Sequence, residues 1–145
     1  MKNSNKICLD VLRRKLLKPF KKERVHLISF KHAWDGIVYA FTTQPNFRFH
    51  FFFSILVIIA GFFFRVSTIE WIVIGFTIMT VLVAETVNTA IESVVDLLTD
   101  KYHLDAKRAK DVSAGMVLVA AVFSIYVGLL IFIPHIKTFL LTLAS

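Results

Sequence analysis

Residues 112–133 read VSAGMVLVAAVFSIYVGLLIFI, and none of these 22 side chains carries a charge. A helix needs about 20 consecutive apolar residues to cross a hydrocarbon core of about 30 Å. Two other stretches are long enough, at about 47–64 and about 70–98, although the second carries carboxylates toward its end. Open strands cannot satisfy their backbone hydrogen bonds in lipid. The sequence therefore predicts an all-α membrane protein with three transmembrane helices.

The composition agrees with this prediction. Apolar residues make up 57% of the 145 residues, whereas soluble domains contain about 45–50%. The single cysteine, Cys8, excludes a disulfide framework and a cysteine-based metal site. Small residues in the 112–133 span, among them Ser113, suit close helix packing in lipid. We predict a leader at 1–25, a membrane domain at 26–135 and a C-terminal tail at 136–145.

A further helix is predicted upstream of the first span, at 27–43. Its apolar residues recur at helical spacing with polar residues between them, and the sequence Gln44-Pro45-Asn46 marks a turn at its end. A helix of this kind lies in the plane of the membrane interface. It either anchors the domain or takes part in the entry of a lipid, and the sequence leaves both roles open.

The net charge of +7 is distributed unevenly along the chain. Ten of the 17 lysines and arginines lie in residues 1–35 and four lie in the 99–111 connection, whereas only Arg65 and Lys137 flank the opposite span ends. This asymmetry predicts that the N-terminus and the connection face the cytoplasm. Because the basic leader precedes membrane spans, we expect it to bind anionic lipid headgroups rather than nucleic acid.

Residues 85–96 read ETVNTAIESVVD and place unusual polar groups on the second span. At about 100° per residue, Glu85, Glu92 and Asp96 fall within roughly 40° of one another on the helix surface. Asn88 lies about 60° to one side of them. The length of the span places Glu85 in the inner leaflet, where a carboxylate costs about 2–3 kcal/mol on insertion scales and indicates a functional site.

A structural ion pair is the alternative explanation for Glu85, with Arg48 or Lys110 as its partner. These two cations would also have to serve Glu92 and Asp96, so negative charge would remain uncompensated. A divalent cation would neutralise it.

The connection at 101–111 reads KYHLDAKRAKD. Cations beside a carboxylate cluster can clamp polyphosphate while the acids hold Mg²⁺, and phosphoryl transfer requires both. The same cations are also expected from membrane topology alone. The sequence contains no phosphate-binding loop of the P-loop or Rossmann type. Any nucleotide site must therefore be formed by side chains of membrane helices.

The pattern ExxNTAIExVVD at 85–96, with YH at 102–103 and AKRAKD at 106–111, closely resembles the prokaryotic diacylglycerol kinase family, which includes undecaprenol kinases. The resemblance covers about residues 28–134 and includes WDG at 34–36 and NFR at 46–48. It implies a homotrimer of three-span subunits in the bacterial cytoplasmic membrane. It also implies an amphipathic surface helix, active sites between neighbouring subunits, and ATP with Mg²⁺ as the requirements of a lipid kinase.

The resemblance also implies roles for individual residues. Glu85 matches the general base that takes the proton of the lipid hydroxyl, and Asn88 matches an amide that positions the reacting groups. Glu92 matches a Mg²⁺ ligand that bridges to the nucleotide phosphates. A second acidic metal ligand in well-known members is replaced here by Gln44, whose amide oxygen can coordinate Mg²⁺ without contributing charge.

Two further sets of contacts follow from the same resemblance. The nucleotide contacts expected are His32, Asp96, Lys101, Tyr102, His103, Lys110 and Asp111. The lipid contacts expected are Trp34, Arg48 and Ala114, together with Glu85.

The predicted activity is the ATP-dependent conversion of diacylglycerol to phosphatidate. Phosphorylation of undecaprenol is the alternative within the family, because the apolar residues of a lipid pocket do not distinguish the two substrates. A nonenzymatic oligomer that binds or transports ions is the alternative of another class. Its ionisable groups should lie near the bilayer midplane, whereas those of this chain cluster toward the cytoplasmic edge.

Overall fold

The computed structural model describes residues 30–99 and 101–144, and within these ranges it contains four helices and no strand. The helices are α1 (Phe30–Thr43), α2 (Pro45–Phe64), α3 (Thr68–Leu98) and α4 (Leu104–Ala144). The all-α prediction is confirmed. The basic leader predicted at 1–25 lies outside the described residues.

The chain divides into two compact units, Met1–Trp34 and Asp35–Ser145. The described part of the first unit is the beginning of α1, from Phe30 to Trp34, and its side chains are exposed. The rest of α1 and the whole of α2, α3 and α4 belong to the second unit, where the three long helices pack together.

Helices α2, α3 and α4 are each long and apolar enough to cross a membrane. Many of their large apolar side chains are exposed, among them Phe52, Ile72, Val119 and Leu130. Soluble monomers rarely expose contiguous apolar surface on this scale. The fold is therefore that of a membrane protein with three helices suited to span the bilayer.

Helix α1 ends and α2 begins at a single non-helical residue, Gln44. Pro45 occupies the first position of α2, where its missing N–H and fixed φ are tolerated. Gln44 has an extended backbone with φ −103° and ψ 111°, and its side chain makes no hydrogen bond to the start of the helix. The break therefore leaves the amide of Gln44 free to contact another helix.

The α2–α3 turn is closed by local hydrogen bonds. Arg65 adopts a left-handed backbone with φ 53° and ψ 48°, and the N–H of Val66 donates to the carbonyl of Gly61 at 3.1 Å, an arrangement typical of helix C-termini. Ser67 then begins α3 with a capping box in which it and Glu70 satisfy each other's backbone N–H.

The buried core lies near this turn. Val66, Ile74 and Ile131 form its centre, and partly buried side chains from all three long helices pack around them. Gly61 permits the close approach of α2 and α3, because a Cβ at this position would lie 2.8 Å from Cη2 of Trp71. A bond of 3.0 Å between Nε2 of His135 and Oε1 of Glu70 also links α3 to α4 in this region.

The third span was predicted at 112–133 and a tail at 136–145, and in the structure α4 continues through Pro134 and remains helical to Ala144. A proline within a helix removes one backbone hydrogen bond and need not end the helix where packing supports it. Here Phe139 supplies such packing, with ring centroids 5.5 Å from Phe63 and 6.1 Å from Phe64. At its other end α4 begins at Leu104, so most of the basic connection forms its first two turns.

Candidate active site

A group of buried polar side chains lies on the half of α3 that is remote from the α2–α3 turn. Glu85 is 1% exposed and Asn88 is 4% exposed, and Ser113 on the facing helix α4 is 3% exposed. The exposure increases along α3, because Glu92 is half-buried and Asp96 is exposed. The polar helix face predicted from the sequence thus runs from the protein interior at Glu85 to its surface at Asp96.

Glu85 has no ion-pair partner among the described residues, and its buried Oε2 has no hydrogen-bond partner there. Arg48 instead donates to the backbone carbonyl of Thr42 at 3.2 Å, and Nζ of Lys110 lies 2.5 Å from Oδ1 of Asp96. The structure therefore does not support the structural ion pair considered for Glu85. Burial of an unpaired carboxylate is costly, and such groups concentrate at functional sites.

Glu92 is held by two amides from different parts of the chain. Nε2 of Gln44 donates to Oε2 of Glu92 at 3.4 Å, and Nδ2 of Asn88 donates to Oε1 at 3.2 Å. The hydroxyl of Ser113 in turn donates to Oδ1 of Asn88 at 2.7 Å. The structure thus brings together Gln44, Asn88 and Glu92, three residues that the sequence analysis placed in one site.

The acidic and basic residues beyond Glu92 form ion pairs. Asp96 on α3 pairs with Lys110 on α4, so two predicted nucleotide contacts meet. Asp111 pairs with Lys107 one turn earlier on α4, and both side chains are exposed. Polyphosphate at this surface would compete with carboxylates for these lysines.

The other residues predicted to contact nucleotide lie in the connection before α4. Lys101, Tyr102 and His103 are exposed. Nδ1 of His103 accepts a hydrogen bond from the backbone N–H of Asp105 at 3.2 Å. The imidazole therefore interacts with the first turn of α4, and no contact links these three side chains to Glu92 within the described residues.

Of the residues predicted to contact lipid, Glu85 is buried and the other three are exposed. Arg48 on α2 and Ala114 on α4 are both exposed. Trp34 and His32, the latter a predicted nucleotide contact, belong to the first unit and are exposed as well. The roles of these four residues remain predictions.

The oxygen donors near Glu92 fit Mg²⁺ only in combination with other ligands. No group of three His, Cys, Asp or Glu side chains within the described ranges could hold a metal ion. Mg²⁺ is commonly bound through one or two carboxylates together with substrate phosphates and water, and Glu92 supplies one such carboxylate. Gln44 faces Glu92 with its amide nitrogen, so as a ligand it would have to present its oxygen instead.

Ser113 is the contact that the sequence analysis missed, because it was interpreted only as a small packing residue. Serine in a helix commonly bonds to a carbonyl of its own helix, so its sequence context gives no sign of a partner on another helix. Its spacing was an available signal, since Ser113 follows Lys110 by three residues and shares its helix face.

Comparison with known proteins identifies relatives of this chain. The family profile described as Prokaryotic diacylglycerol kinase matches residues 31–132. An undecaprenol kinase from Bacillus subtilis is 48% identical over 108 residues, which cover 74% of this chain and 88% of that protein. A diacylglycerol kinase from Synechocystis is 45% identical over 109 residues, which cover 74% of this chain and 62% of that protein. A diacylglycerol kinase from Escherichia coli is 27% identical over 104 residues, which cover 72% of this chain and 85% of that protein.

The fold and these relatives define a multi-pass membrane enzyme of the lipid kinase class, with ATP as its co-substrate. The chain belongs to the prokaryotic diacylglycerol kinase family. The predicted resemblance is thereby confirmed. The alternative of a nonenzymatic ion-binding oligomer finds no support among these relatives.

Proposed function

We propose that this chain transfers the γ-phosphoryl group of ATP to the hydroxyl of diacylglycerol, with Glu85 as the general base. The carrying observation is the buried, unpaired carboxylate of Glu85, which lies seven residues before Glu92 on the same helix. Seven residues correspond to two helical turns and a rise of about 10 Å. The base and the phosphate-binding group are thus placed on one rigid element.

In the proposed reaction the lipid hydroxyl oxygen attacks the γ-phosphorus, the bond to the ADP oxygen breaks, and Glu85 accepts the hydroxyl proton. A general base must come within about 2.6–3.2 Å of the proton donor's oxygen, directly or through a water molecule. Because Glu85 is 1% exposed, the lipid hydroxyl must enter the interior of the helix bundle to meet it. Positioning and electrostatic stabilisation provide most of the catalysis in phosphoryl transfer.

Glu92 would hold Mg²⁺ jointly with the nucleotide phosphates, and Gln44 is the second candidate ligand. When bound, the ion would neutralise charge that develops on the phosphate oxygens. Asn88 keeps one carboxylate oxygen of Glu92 in a fixed position through its 3.2 Å hydrogen bond. This proposal gives Asn88 a positioning role toward Glu92.

We further propose that three copies of the chain assemble, as the family resemblance implies. Support comes from an apolar groove between α3 and α4, with Met79, Val83 and Val87 on one side and Met116 and Phe123 on the other. Most of these side chains are exposed in the single chain. A helix from a neighbouring copy would cover them.

The experiment that tests the proposed substrate measures phosphate transfer from labelled ATP to a panel of lipid alcohols in mixed micelles. The two named possibilities are represented by relatives of similar identity, a diacylglycerol kinase at 45% and an undecaprenol kinase at 48%. We expect kcat/KM to be higher for diacylglycerol than for undecaprenol. The reverse order would assign the alternative substrate and leave the kinase chemistry intact.

The nucleotide role of Lys110 is tested by Lys110→Met. A charge-assisted hydrogen bond contributes about 1.5–3 kcal/mol, so we expect the KM for ATP to rise about tenfold or more while the KM for lipid stays unchanged. Arg108→Met is the matched control, because it removes a cation from the same end of α4. The partner of Arg108 is Asp105, which lies on the same helix. Equal KM values for ATP in the two variants would contradict the role of Lys110.

The proposed topology places the leader and the basic connection in the cytoplasm. Cys8 is the only cysteine, so it reports the side of the leader. In intact cells an impermeant maleimide should leave wild-type Cys8 unlabelled and should label Ser145→Cys in a Cys8→Ser background. Labelling of Cys8 from outside would invert the topology and separate the proposed site from cytoplasmic ATP.

A further inference from the structure

We propose that Ser113 is a positioning residue for Glu92 and acts through Asn88. This inference rests on the proposed function, in which Glu92 holds a divalent ion with nucleotide. Ser113 is 3% exposed, and its hydroxyl oxygen lies 2.7 Å from Oδ1 of Asn88. The sequence predicted no role in the site for this residue, yet among the described residues of α4 it is the one whose side chain hydrogen-bonds to Asn88 on α3.

The direction of each hydrogen bond follows from the chemistry of the groups. An ionised carboxylate only accepts hydrogen bonds, so Asn88 must present its Nδ2 to Glu92. Its Oδ1 then points away from Glu92 and needs a donor, and Ser113 is 2.7 Å from it. If the amide turned by 180°, two oxygens would face each other across the 3.2 Å contact with Glu92. The donors therefore run from Ser113 to Asn88 to Glu92.

A competing acceptor lies close to Ser113. Its hydroxyl oxygen is 2.9 Å from the backbone carbonyl of Lys110, and a hydroxyl has a single proton to donate. The carbonyl of Lys110 lies inside α4, where a backbone N–H four residues later can serve it. Oδ1 of Asn88 belongs to a side chain that is 4% exposed, so water cannot readily replace Ser113 there. The proton is therefore better placed toward Asn88.

Removing this hydroxyl should make the carboxylate of Glu92 less ordered, although Glu92 itself is not changed. In Ser113→Ala, Oδ1 of Asn88 loses its donor, and the amide can turn or shift away from Glu92. One oxygen of Glu92 then loses a fixed partner. The metal and the nucleotide phosphates would have to order the carboxylate themselves, so they would bind more weakly. A single hydrogen bond of ordinary strength corresponds to a change of roughly three- to tenfold in affinity.

Ser124 offers a matched control on the same helix. Its hydroxyl donates to the carbonyl of Ala121 at 2.7 Å, three residues earlier, which reproduces the bond that Ser113 can make to Lys110. Among the described residues Ser124 has no hydrogen bond to another helix. Ser124→Ala therefore removes the same group without removing a contact to Asn88, and Ser113→Thr keeps the hydroxyl at the original position.

The test measures divalent-ion binding without turnover. The full-length protein is labelled at its four asparagines and loaded with ADP, and the Asn88 side-chain signal is assigned with Asn88→Ala. Mn²⁺ is then titrated, and the broadening of that signal gives a midpoint. We expect Ser113→Ala to raise the midpoint roughly three- to tenfold, Ser113→Thr to restore it, and Ser124→Ala to leave it unchanged.

A kinetic measurement separates the possible failures. The Mg²⁺ concentration for half-maximal turnover should rise in Ser113→Ala by the same factor as the Mn²⁺ midpoint, with the KM for lipid unchanged. A Mn²⁺ midpoint in Ser113→Ala equal to that in Ser124→Ala would overturn the role of Ser113, whatever the activity. Failure of the wild type to phosphorylate any lipid alcohol would overturn the proposed function alone.

Discussion

Replacing Glu85 by Gln is expected to lower turnover about 100- to 10,000-fold, the usual contribution of a positioned general base. The substitution preserves the shape of the side chain and removes its basicity. Because Oε2 of Glu85 has no hydrogen-bond partner in the described part of the chain, the change breaks no existing contact of that atom. The assembled protein should therefore persist, as size-exclusion chromatography and helix content would report.

Glu70→Gln is the matched control for this measurement. It neutralises an acid on the same helix at its other end, where Glu70 contacts Ser67 and His135. This variant should lose thermal stability but keep the turnover per folded molecule. A Glu85→Gln protein with more than about a tenth of wild-type turnover would remove Glu85 from the role of base.

Replacing Glu92 by Gln is expected to raise the Mg²⁺ concentration for half-maximal turnover at least tenfold. Loss of a residue that merely orients a metal ligand typically costs about 10- to 100-fold in affinity, so loss of the ligand itself should cost no less. The new glutamine side chain would also bring an N–H donor toward Gln44 and Asn88, whose amides both donate to Glu92 in the wild type. Turnover at saturating Mg²⁺ should recover in part.

Gln44→Glu should shift the Mg²⁺ dependence in the opposite direction. It replaces the amide 3.4 Å from Glu92 by a second carboxylate. This carboxylate repels Glu92 when the ion is absent and provides another charged ligand when the ion is bound.

The control for Glu92→Gln is Asp105→Asn, which also removes one acid, in this case an acid that pairs with Arg108. Identical Mg²⁺ titrations of Glu92→Gln and wild type would show that Glu92 is not a metal ligand.

The number and type of helices were predictable because bilayer thickness imposes a length that three apolar stretches meet. The ends of α4 were not predictable in the same way. The predicted span ends at residue 133, yet α4 continues through Pro134, and Phe139 beyond it contacts Phe63 and Phe64. Packing of this kind depends on which helices become neighbours, and the neighbours of a helix cannot be read from its local sequence.

The α3 part of the site was predictable because residues at helical spacing share a face whatever the tertiary structure. This spacing alone was enough to predict that Glu85, Asn88 and Glu92 lie near one another on α3. The resemblance to a family contributed Gln44, whose position beside Glu92 depends on the break before Pro45. Ser113 and the bond between Glu70 and His135 escaped prediction, since each joins two helices whose relative rotation is not encoded in either segment alone.

We propose that the buried acid Glu85 and the amide-held carboxylate Glu92 on α3 catalyse phosphate transfer to a lipid. To test this, the purified protein is incubated with labelled ATP, Mg²⁺ and diacylglycerol micelles, and lipid is then separated from water-soluble products. We expect label from the γ-phosphate in the lipid fraction, in amounts that depend on the added alcohol and fall to background in Glu85→Gln. Label found only as inorganic phosphate, or in no product although the protein is folded, would contradict it.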